Sequence, residues 1–111
     1  MSSTEQSEDQ LDYVFSALSD RTRRGILKQV SEEEFSVSEL AEYYDISLPG
    51  VMKHLKVLER AQLVHLTKEG RVRKCNLDIQ GLRDAQAFVD EYKKFWEGQF
   101  DRIEAYLKKK N

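Results

Sequence analysis

Two groups of basic residues form the pattern in this sequence with the clearest chemical meaning. The first group has helical spacing and consists of Lys53, Lys56 and Arg60. The second follows soon after, around a glycine, and consists of Lys68, Arg71, Arg73 and Lys74. Positively charged side chains at this density bind phosphate groups, because they replace the counterions that a nucleic acid holds. The pattern therefore predicts a surface that contacts a nucleic-acid backbone.

The overall charge of the chain conceals this local excess. The 111 residues carry a net charge of −2, which by itself argues against nucleic-acid binding. The segment from Ser47 to Lys74 holds seven basic and two acidic residues, a net charge of +5, whereas the remaining residues, with 11 basic and 18 acidic, carry −7. One basic surface on an acidic protein is suited to local docking on DNA. Chance clustering on a solvated face is the alternative, and composition alone favours neither.

Hydrophobic periodicity predicts the helices that precede this segment. The first has one apolar stripe, made of Leu11, Val14, Phe15 and Leu18. Ser19 is placed to cap a second helix, which ends near the acidic stretch SEEE. Ser36 and Glu39 have the spacing of a capping box at the start of a third, short helix.

The fourth helix carries apolar and basic residues on opposite faces. Ser47 is its expected N-cap, and Pro49 is tolerated in its first turn. At about 100° per residue, one face carries Val51, Leu55 and Leu58 and the opposite face carries the three basic residues of the first group. A short helix, a tight turn and this helix form a helix-turn-helix layout, whose second helix enters the major groove of DNA. The alternative is an ordinary amphipathic helix with a solvated lysine face.

Two strands and a long helix complete the chain. The runs QLVHLT and RVRKCNL predict a β-hairpin with its tip at Glu69 and Gly70, and a helix runs from about Gln80 to Lys108. The second basic group then lies on a β-wing beside the fourth helix, within reach of phosphates or a minor groove. The predicted fold class is mainly α with a small β-hairpin, a winged helix-turn-helix with a long C-terminal dimerisation helix.

Three segments resemble the ArsR/SmtB family of bacterial winged-helix transcriptional repressors. They are ALSDRTRRGIL, SVSELAEYYDISLPGVMKHLKVLERAQLV and KEGRVRKCNL, and the similarity extends from about Leu11 to Leu77. The resemblance implies a homodimer that binds a palindromic operator in double-stranded DNA and leaves it when an effector binds. The implied groove contacts are Ser47, Pro49, Gly50, Lys53, His54 and Lys56, and the implied wing contacts are Lys68, Arg71 and Arg73. For His54, packing inside the subunit is an equal alternative to DNA contact.

The sequence departs from the metal sensors of that family. Ser36 and Ser38 stand where arsenic sensors of the family have a Cys-x-Cys pair, and a serine hydroxyl is a poor ligand for soft metals. No histidine follows His65, so the ligands that zinc sensors of the family place on the last helix are missing. We therefore predict no metal site and no cofactor, and the sequence identifies no effector. Cys75 is expected to be a small buried residue.

The last helix predicts a partner for the subunit. Its apolar residues recur at alternating spacings of three and four, and Phe88, Phe95 and Phe100 widen the stripe. A broad exposed stripe marks an interface, here expected to be a two-fold pair with the same helix and the first helix of a second subunit. The predicted interface residues are Leu11, Val14, Phe15, Val89, Tyr92, Trp96 and Ile103. The alternative is that the segment bends at Gly98 and folds back on its own core.

Length and composition set further bounds. We expect a flexible acidic leader at residues 1–8 and a single winged-helix domain at residues 9–108. A single cysteine excludes an intrachain disulfide and suggests a cytoplasmic protein, and no apolar run is long enough for a membrane span. The sequence has no catalytic triad spacing and no phosphate loop, so we expect no enzyme. A winged-helix module that binds proteins without specific DNA binding is the alternative function.

Overall fold

The computed structural model describes the backbone of residues 3–110 and the side chains of residues 8–109. Its helices are α1 (Ser3–Leu18), α2 (Arg21–Glu32), α3 (Val37–Tyr44), α4 (Leu48–Arg60) and α5 (Gln80–Lys110). Its strands are β1 (Phe35–Ser36), β2 (Val64–Glu69) and β3 (Val72–Leu77). The order of elements is that of the predicted winged helix-turn-helix, with one additional strand.

The first helix begins earlier than the sequence indicated. It begins at Ser3, so residues 3–8 of the predicted leader belong to α1. Met1 and Ser2, the remainder of that prediction, lie outside the described residues. Among the described helices, none combines the length with the apolar composition that a membrane span needs.

Polar side chains at the helix starts explain where α2 and α3 begin. The backbone N–H of Arg23 donates to the Asp20 carboxylate at 3.0 Å, so Asp20 and not Ser19 caps α2. The Ser19 hydroxyl instead donates to the Ser16 carbonyl at the end of α1, at 2.6 Å. At α3 the predicted capping box is confirmed, because Ser36 and Glu39 each accept a backbone N–H from the other, at 3.1 and 2.9 Å.

A tight turn joins α3 to α4. Asp45 ends α3 in the left-handed conformation, with φ 53°, which a short polar side chain tolerates. The Ser47 side chain then accepts the N–H of Gly50 at 3.1 Å, which confirms Ser47 as the N-cap of α4. Pro49 falls in the first turn, where its missing N–H costs no intrahelical hydrogen bond.

The apolar face of α4 packs into the centre of the subunit. Among the residues whose side chains are described, 15 are buried in the core, and they come from α1 to α4, the turn after α4, β2 and β3. The α4 members are Val51, Leu55 and Leu58, as predicted, and each has no exposed surface. Truncation of a leucine at such a site costs about 2–5 kcal/mol, so this face anchors α4 in the core.

In the described part of the chain, the sheet has three antiparallel strands in the order β1-β3-β2. The third strand, β1, was not predicted, because it has two residues and pairs only Phe35 with Cys75 and Ser36 with Lys74. The β2–β3 hairpin turns through Gly70 and Arg71. Gly70 has φ +61°, a conformation that glycine adopts without strain and that first loop positions of type II′ turns require.

The last helix leaves the body of the subunit. Its N-terminal part packs on α1, where the rings of Phe15 and Phe88 meet edge to face with centroids 5.4 Å apart. The helix continues through Gly98 without interruption, so the alternative of a bend that returns the segment to its own core is wrong. Its apolar residues beyond Val89, including Tyr92 and Trp96, are therefore about half exposed in the single subunit.

Candidate nucleic-acid interface

The exposed face of α4 presents cations next to the positive end of the helix dipole. Pro49, Lys53 and Lys56 are exposed, and the first turn contains no acidic residue. Free N–H groups at a helix start attract anions, and nearby ammonium groups add to that attraction. Ser47 accepts a hydrogen bond through its oxygen, so its own O–H can still donate. This end of α4 is chemically suited to phosphates and base edges.

His54 connects α4 to the start of α2. Its Nδ1 lies 3.3 Å from a guanidinium nitrogen of Arg23 and 3.9 Å from a carboxylate oxygen of Asp20. Because arginine can only donate, the first contact requires an unprotonated Nδ1, and the ring proton then lies on Nε2. The hydrogen bond from the Arg23 N–H, with a smaller effect of the Arg23 charge, lowers the pKa of Asp20. His54 thus packs between helices and has one remaining donor.

Arg60 does not join Lys53 and Lys56 in facing solvent without a partner on the exposed face of α4. Its guanidinium lies over the ring of Tyr13, 4.1 Å from the centroid, and Nη2 donates to the Tyr13 hydroxyl at 2.6 Å. The predicted row of three basic residues on α4 is therefore corrected to two, Lys53 and Lys56. Sequence spacing placed Arg60 on the correct face but could not reveal the tyrosine on α1 that holds it.

The wing holds three exposed cations and one half-buried cation, Lys74. Lys68 pairs with Arg73 in the β2–β3 register, and both are exposed, as is Arg71 at the tip. Side chains alternate along a strand, so Arg73 lies on the same sheet face as buried Cys75, which is the face that packs toward the helices. The wing cations therefore flank the side of the sheet on which the helix-turn-helix lies.

Lys74 is the basic residue of the wing that forms ion pairs within the subunit. Its ammonium is 2.9 Å from the carboxylates of both Glu34 and Glu69. These two hydrogen-bonded carboxylates raise the pKa of Lys74. The prediction that Lys74 reaches a phosphate is wrong in this structure, because its charge is compensated within the subunit.

A cleft of about 340 Å³ joins the wing tip to the starts of α3 and α4. It is lined by Ser36, Val37, Ser38, Leu48, Arg71, Val72 and Arg73. Leu48 and Val72 are large apolar residues with 45% and 47% of their surface exposed, and neither was predicted from the sequence as part of the site. Leu48 continues the apolar stripe of α4 at i, i+3 and i+7, which favours burial, but it lies one turn before the core begins.

The serines in place of the family's thiol pair have other tasks. Ser36 caps α3 through its side chain, and Ser38 lines the cleft. Within residues 8–109, no three His, Cys, Asp or Glu side chains lie close enough together to hold a metal ion. Cys75 is fully buried, and this burial, with the charge of Glu59, raises the pKa of its thiol to about 12.

With one exception, the residues predicted for a subunit interface have surface that a second subunit can contact. Val89, Tyr92, Trp96 and Ile103 are between 48% and 52% exposed on α5, and Phe15 is 39% exposed on α1. Leu11 is half-buried on α1. Val14 is corrected, because it faces the interior beside Ala17 and has no exposed surface. Phe95, Phe100, Tyr106 and Leu107 extend the exposed stripe toward the end of α5.

Known proteins share both the sequence and this architecture. The family described as "Helix-turn-helix domain" matches residues 18–67. The chain is 38% identical over 85 residues to the HTH-type transcriptional regulator Rv2034 of Mycobacterium tuberculosis, which covers 77% of each chain. It is 32% identical over 72 residues to the transcriptional repressor SdpR of Bacillus subtilis, covering 65% of this chain and 80% of SdpR.

Solved structures agree with these relatives. The crystal structure of an ArsR family transcriptional regulator is 38% identical, with a TM-score of 0.76 over 81% of this chain and 93% of that chain. A winged helix-turn-helix domain from Mycobacterium bovis, solved in solution as a homodimer, shares the fold at 22% identity, with a TM-score of 0.66 over 84% and 88% of the two chains. With its helix-turn-helix, wing and long last helix, the chain belongs to the ArsR/SmtB family of winged-helix transcriptional regulators, which bind DNA and are not enzymes.

Proposed function

We propose that this regulator is a homodimer that represses transcription by occupying a palindromic operator. The observation that carries the proposal is the shared cleft, in which the start of α4 and the arginines of the wing lie side by side. A helix start beside a basic strand pair provides contacts for a groove and for the adjacent backbone at the same time. A cytoplasmic location follows, because the operator is there.

The two parts of this surface have different roles in the proposal. The groove contacts are Ser47, Pro49, Gly50, Lys53, His54 and Lys56, and the backbone contacts are Lys68, Arg71 and Arg73. A lysine that reaches a guanine edge discriminates between sequences, whereas a wing cation on a phosphate strengthens binding to any duplex. Leu48 and Val72 add apolar surface between them, suited to the methyl group of a thymine.

The dimer part of the proposal rests on α5. Its exposed apolar residues fall within an arc of about 140° at 100° per residue, and charged residues occupy the rest of the helix surface. So wide an apolar face on a helix of 31 residues needs more cover than the contact with α1 gives. A second copy related by a two-fold axis covers both stripes and places two α4 helices about 34 Å apart, one turn of DNA.

Two arguments support repression, which are steric exclusion at the promoter and the name of one relative. A dimer seated on an operator that overlaps a promoter excludes other proteins from it, with no further activity required. SdpR, which is 32% identical, is named a transcriptional repressor.

The test is footprinting on the DNA upstream of the protein's own coding sequence, followed by binding titrations. We expect a protected site with two symmetric halves and affinity for it at least about 10³ times that for random duplex, with a steep loss as salt rises. Lys53→Gln with Lys56→Gln should abolish the preference. Lys94→Gln with Lys108→Gln, which removes the same charge from the exposed face of α5 opposite the apolar stripe, should leave it intact.

The same titrations address the alternative function. A winged-helix module that binds proteins predicts equal, weak binding to the candidate site and to random duplex. It also predicts that the double substitution on α4 and its control on α5 behave alike. That combined result would replace the DNA-binding proposal for this surface.

A further inference from the structure

The C-terminal end of α4 is held by contacts from both helices that carry the proposed interface. Gln10 on α1 donates from Nε2 to the carbonyl of Ala61 at 3.0 Å. Tyr13, one turn further along α1, holds Arg60 through its ring and hydroxyl. The N–H of Gly81 on α5 donates to the carbonyl of Gln62 at 2.7 Å. We call the set Gln10, Tyr13, Arg60, Ala61, Gln62 and Gly81 the α4 clasp.

The α5 side of the clasp is a very close approach of two backbones. A Cβ at Gly81 would lie 2.3 Å from the Ala61 oxygen and 2.8 Å from the Gln62 oxygen, so only glycine fits. Gln62 itself has φ 58°, a left-handed conformation that ends α4 directly after its C-cap. The start of α5 therefore rests on the end of the helix that faces DNA.

The α1 side of the clasp uses a different face of the helix from the interface. Gln10 and Tyr13 lie on the face of α1 that carries buried Val14 and Ala17 and packs toward α4. Leu11 and Phe15 lie about 100° or more around the helix, toward α5 and the exposed stripe. One short stretch of α1 thus touches the DNA-facing helix on one side and the interface on the other.

We propose that Gln10, Tyr13 and Arg60 are positioning residues that set the tilt of α4 in the dimer and thereby the half-site spacing that the dimer accepts. This inference rests on the proposed function. The clasp holds α4 at its C-terminal end, and the N-terminal end that reaches DNA lies about 20 Å away. A tilt of about 10° at the clasp therefore moves the N-terminal end by roughly 3.5 Å, about the rise of one base pair.

The clasp contributes orientation more than stability. The Arg60–Tyr13 contact is exposed, and solvent weakens a cation–π contact at such a site, so it contributes little to the stability of the fold. The burial of Val51, Leu55 and Leu58 anchors α4 in the core whether or not the clasp is present. Loss of the α1 contacts is thus expected to leave the fold and the DNA-facing residues intact while α4 gains freedom to tilt.

The experiment measures binding to duplexes built from the footprinted site, in which the two half-sites are moved apart or together one base pair at a time. A duplex with a single half-site reports the intrinsic contact of one α4. The variants are Gln10→Ala, Tyr13→Leu and their combination, which leave the charge of Arg60 in place. Asp12→Asn, on an exposed position of α1 between them, is the matched control.

The wild-type protein and the control should show one best spacing and lose at least tenfold in affinity when it changes by two base pairs. The combined variant should lose less than threefold over the same range, stay dimeric in sedimentation, and bind the single half-site within twofold of wild type. Tyr13→Phe keeps the ring under Arg60 and removes only the hydroxyl, so it should fold and show an intermediate spacing dependence even if the combination does not fold.

Two results overturn the inference in distinguishable ways. If Tyr13→Phe and the foldable Leu or Ala variants keep the full wild-type spacing dependence, the clasp does not position α4, and the proposed dimeric repressor stands. If the wild-type protein itself has no preferred spacing, the two-fold operator model fails, and the clasp inference fails with it.

Discussion

Replacing Trp96 with alanine tests the proposed dimer most directly. Trp96 lies in the middle of α5, and 48% of its surface is exposed in the single subunit. A tryptophan residue has about 250 Å² to bury, so roughly 120 Å² of each Trp96 is left for a partner to cover. At about 25 cal/mol per Å², this is about 3 kcal/mol per subunit and about 6 kcal/mol for an interface that contains the residue twice.

Alanine retains part of this contact, so we expect the dimer to lose about 4–5 kcal/mol, more than about a thousandfold in dissociation constant. Sedimentation velocity over several decades of protein concentration measures the change. Lys94→Ala, on the opposite face of α5, is the control and should leave the dissociation constant unchanged. Operator affinity should fall in parallel for Trp96→Ala, because a monomer carries one α4 helix and one wing.

The wild-type protein offers an independent readout of the same equilibrium. Trp96 is the single tryptophan of the chain, so intrinsic fluorescence reports its surroundings alone. Dilution through the dissociation constant should shift its emission to longer wavelength as water replaces the partner. A change of less than tenfold in the dissociation constant of Trp96→Ala would refute the reasoning and direct the search for the interface to α1.

Three further predictions concern the DNA-facing surface, the buried thiol and a helix cap. Arg73→Ala should weaken binding to operator and random duplex alike, and it should lower the slope of log binding constant against log salt concentration by about one. Lys53→Ala should lose more affinity for the operator than for random DNA. Equal losses would reduce Lys53 to a phosphate contact. Because burial raises the pKa of Cys75 to about 12, its thiol at pH 8 should react with Ellman's reagent about a hundredfold more slowly in the folded protein than in the protein unfolded by guanidinium. Comparable rates in the two states would contradict the burial of Cys75. The hydrogen bonds from the backbone and side chain of Ser36 lower the pKa of Glu39 from its ordinary 4.5, so the ionised Glu39 carboxylate stabilises the fold above that pH and loses this effect as pH falls through the lower folded value. Melting temperatures of Glu39→Gln measured between about pH 6 and 3 should therefore depend less on pH than those of the wild type. Parallel curves would count against the cap.

Local patterns in the sequence were sufficient for most of the fold. The helices follow from apolar spacing, and Ser36 and Ser47 cap helices as expected because capping needs only a side chain and a backbone N–H three residues later. At α2 the same rule gave the wrong residue, since Ser19 and Asp20 are adjacent and both are good caps. The two-residue strand β1 has no periodicity, so it can be recognised only once β3 is placed beside it.

The errors in the candidate site have one cause, which is contact between residues distant in sequence. Arg60 meets Tyr13, and Lys74 meets Glu34, across more than one element each. Val14 belongs to the apolar stripe of α1, but that stripe is wide enough to have a buried side and an exposed side, and periodicity alone does not divide them. Charge and spacing predicted where the basic residues cluster, and tertiary contacts decide which of them are exposed and not paired within the subunit.

The short length of β1 has a consequence for how the free protein behaves in solution. Pairing with β1 ends at Lys74, so the outer part of β3 toward Val72 is an open sheet edge in the described structure. Open edges invite the strands of other molecules, and proteins commonly prevent this with charge. Arg71 and Arg73 flank the open edge, so two wings that approach each other repel. Salt screens that repulsion, and we therefore expect the DNA-free protein to associate through its wings more readily at high ionic strength than at low ionic strength.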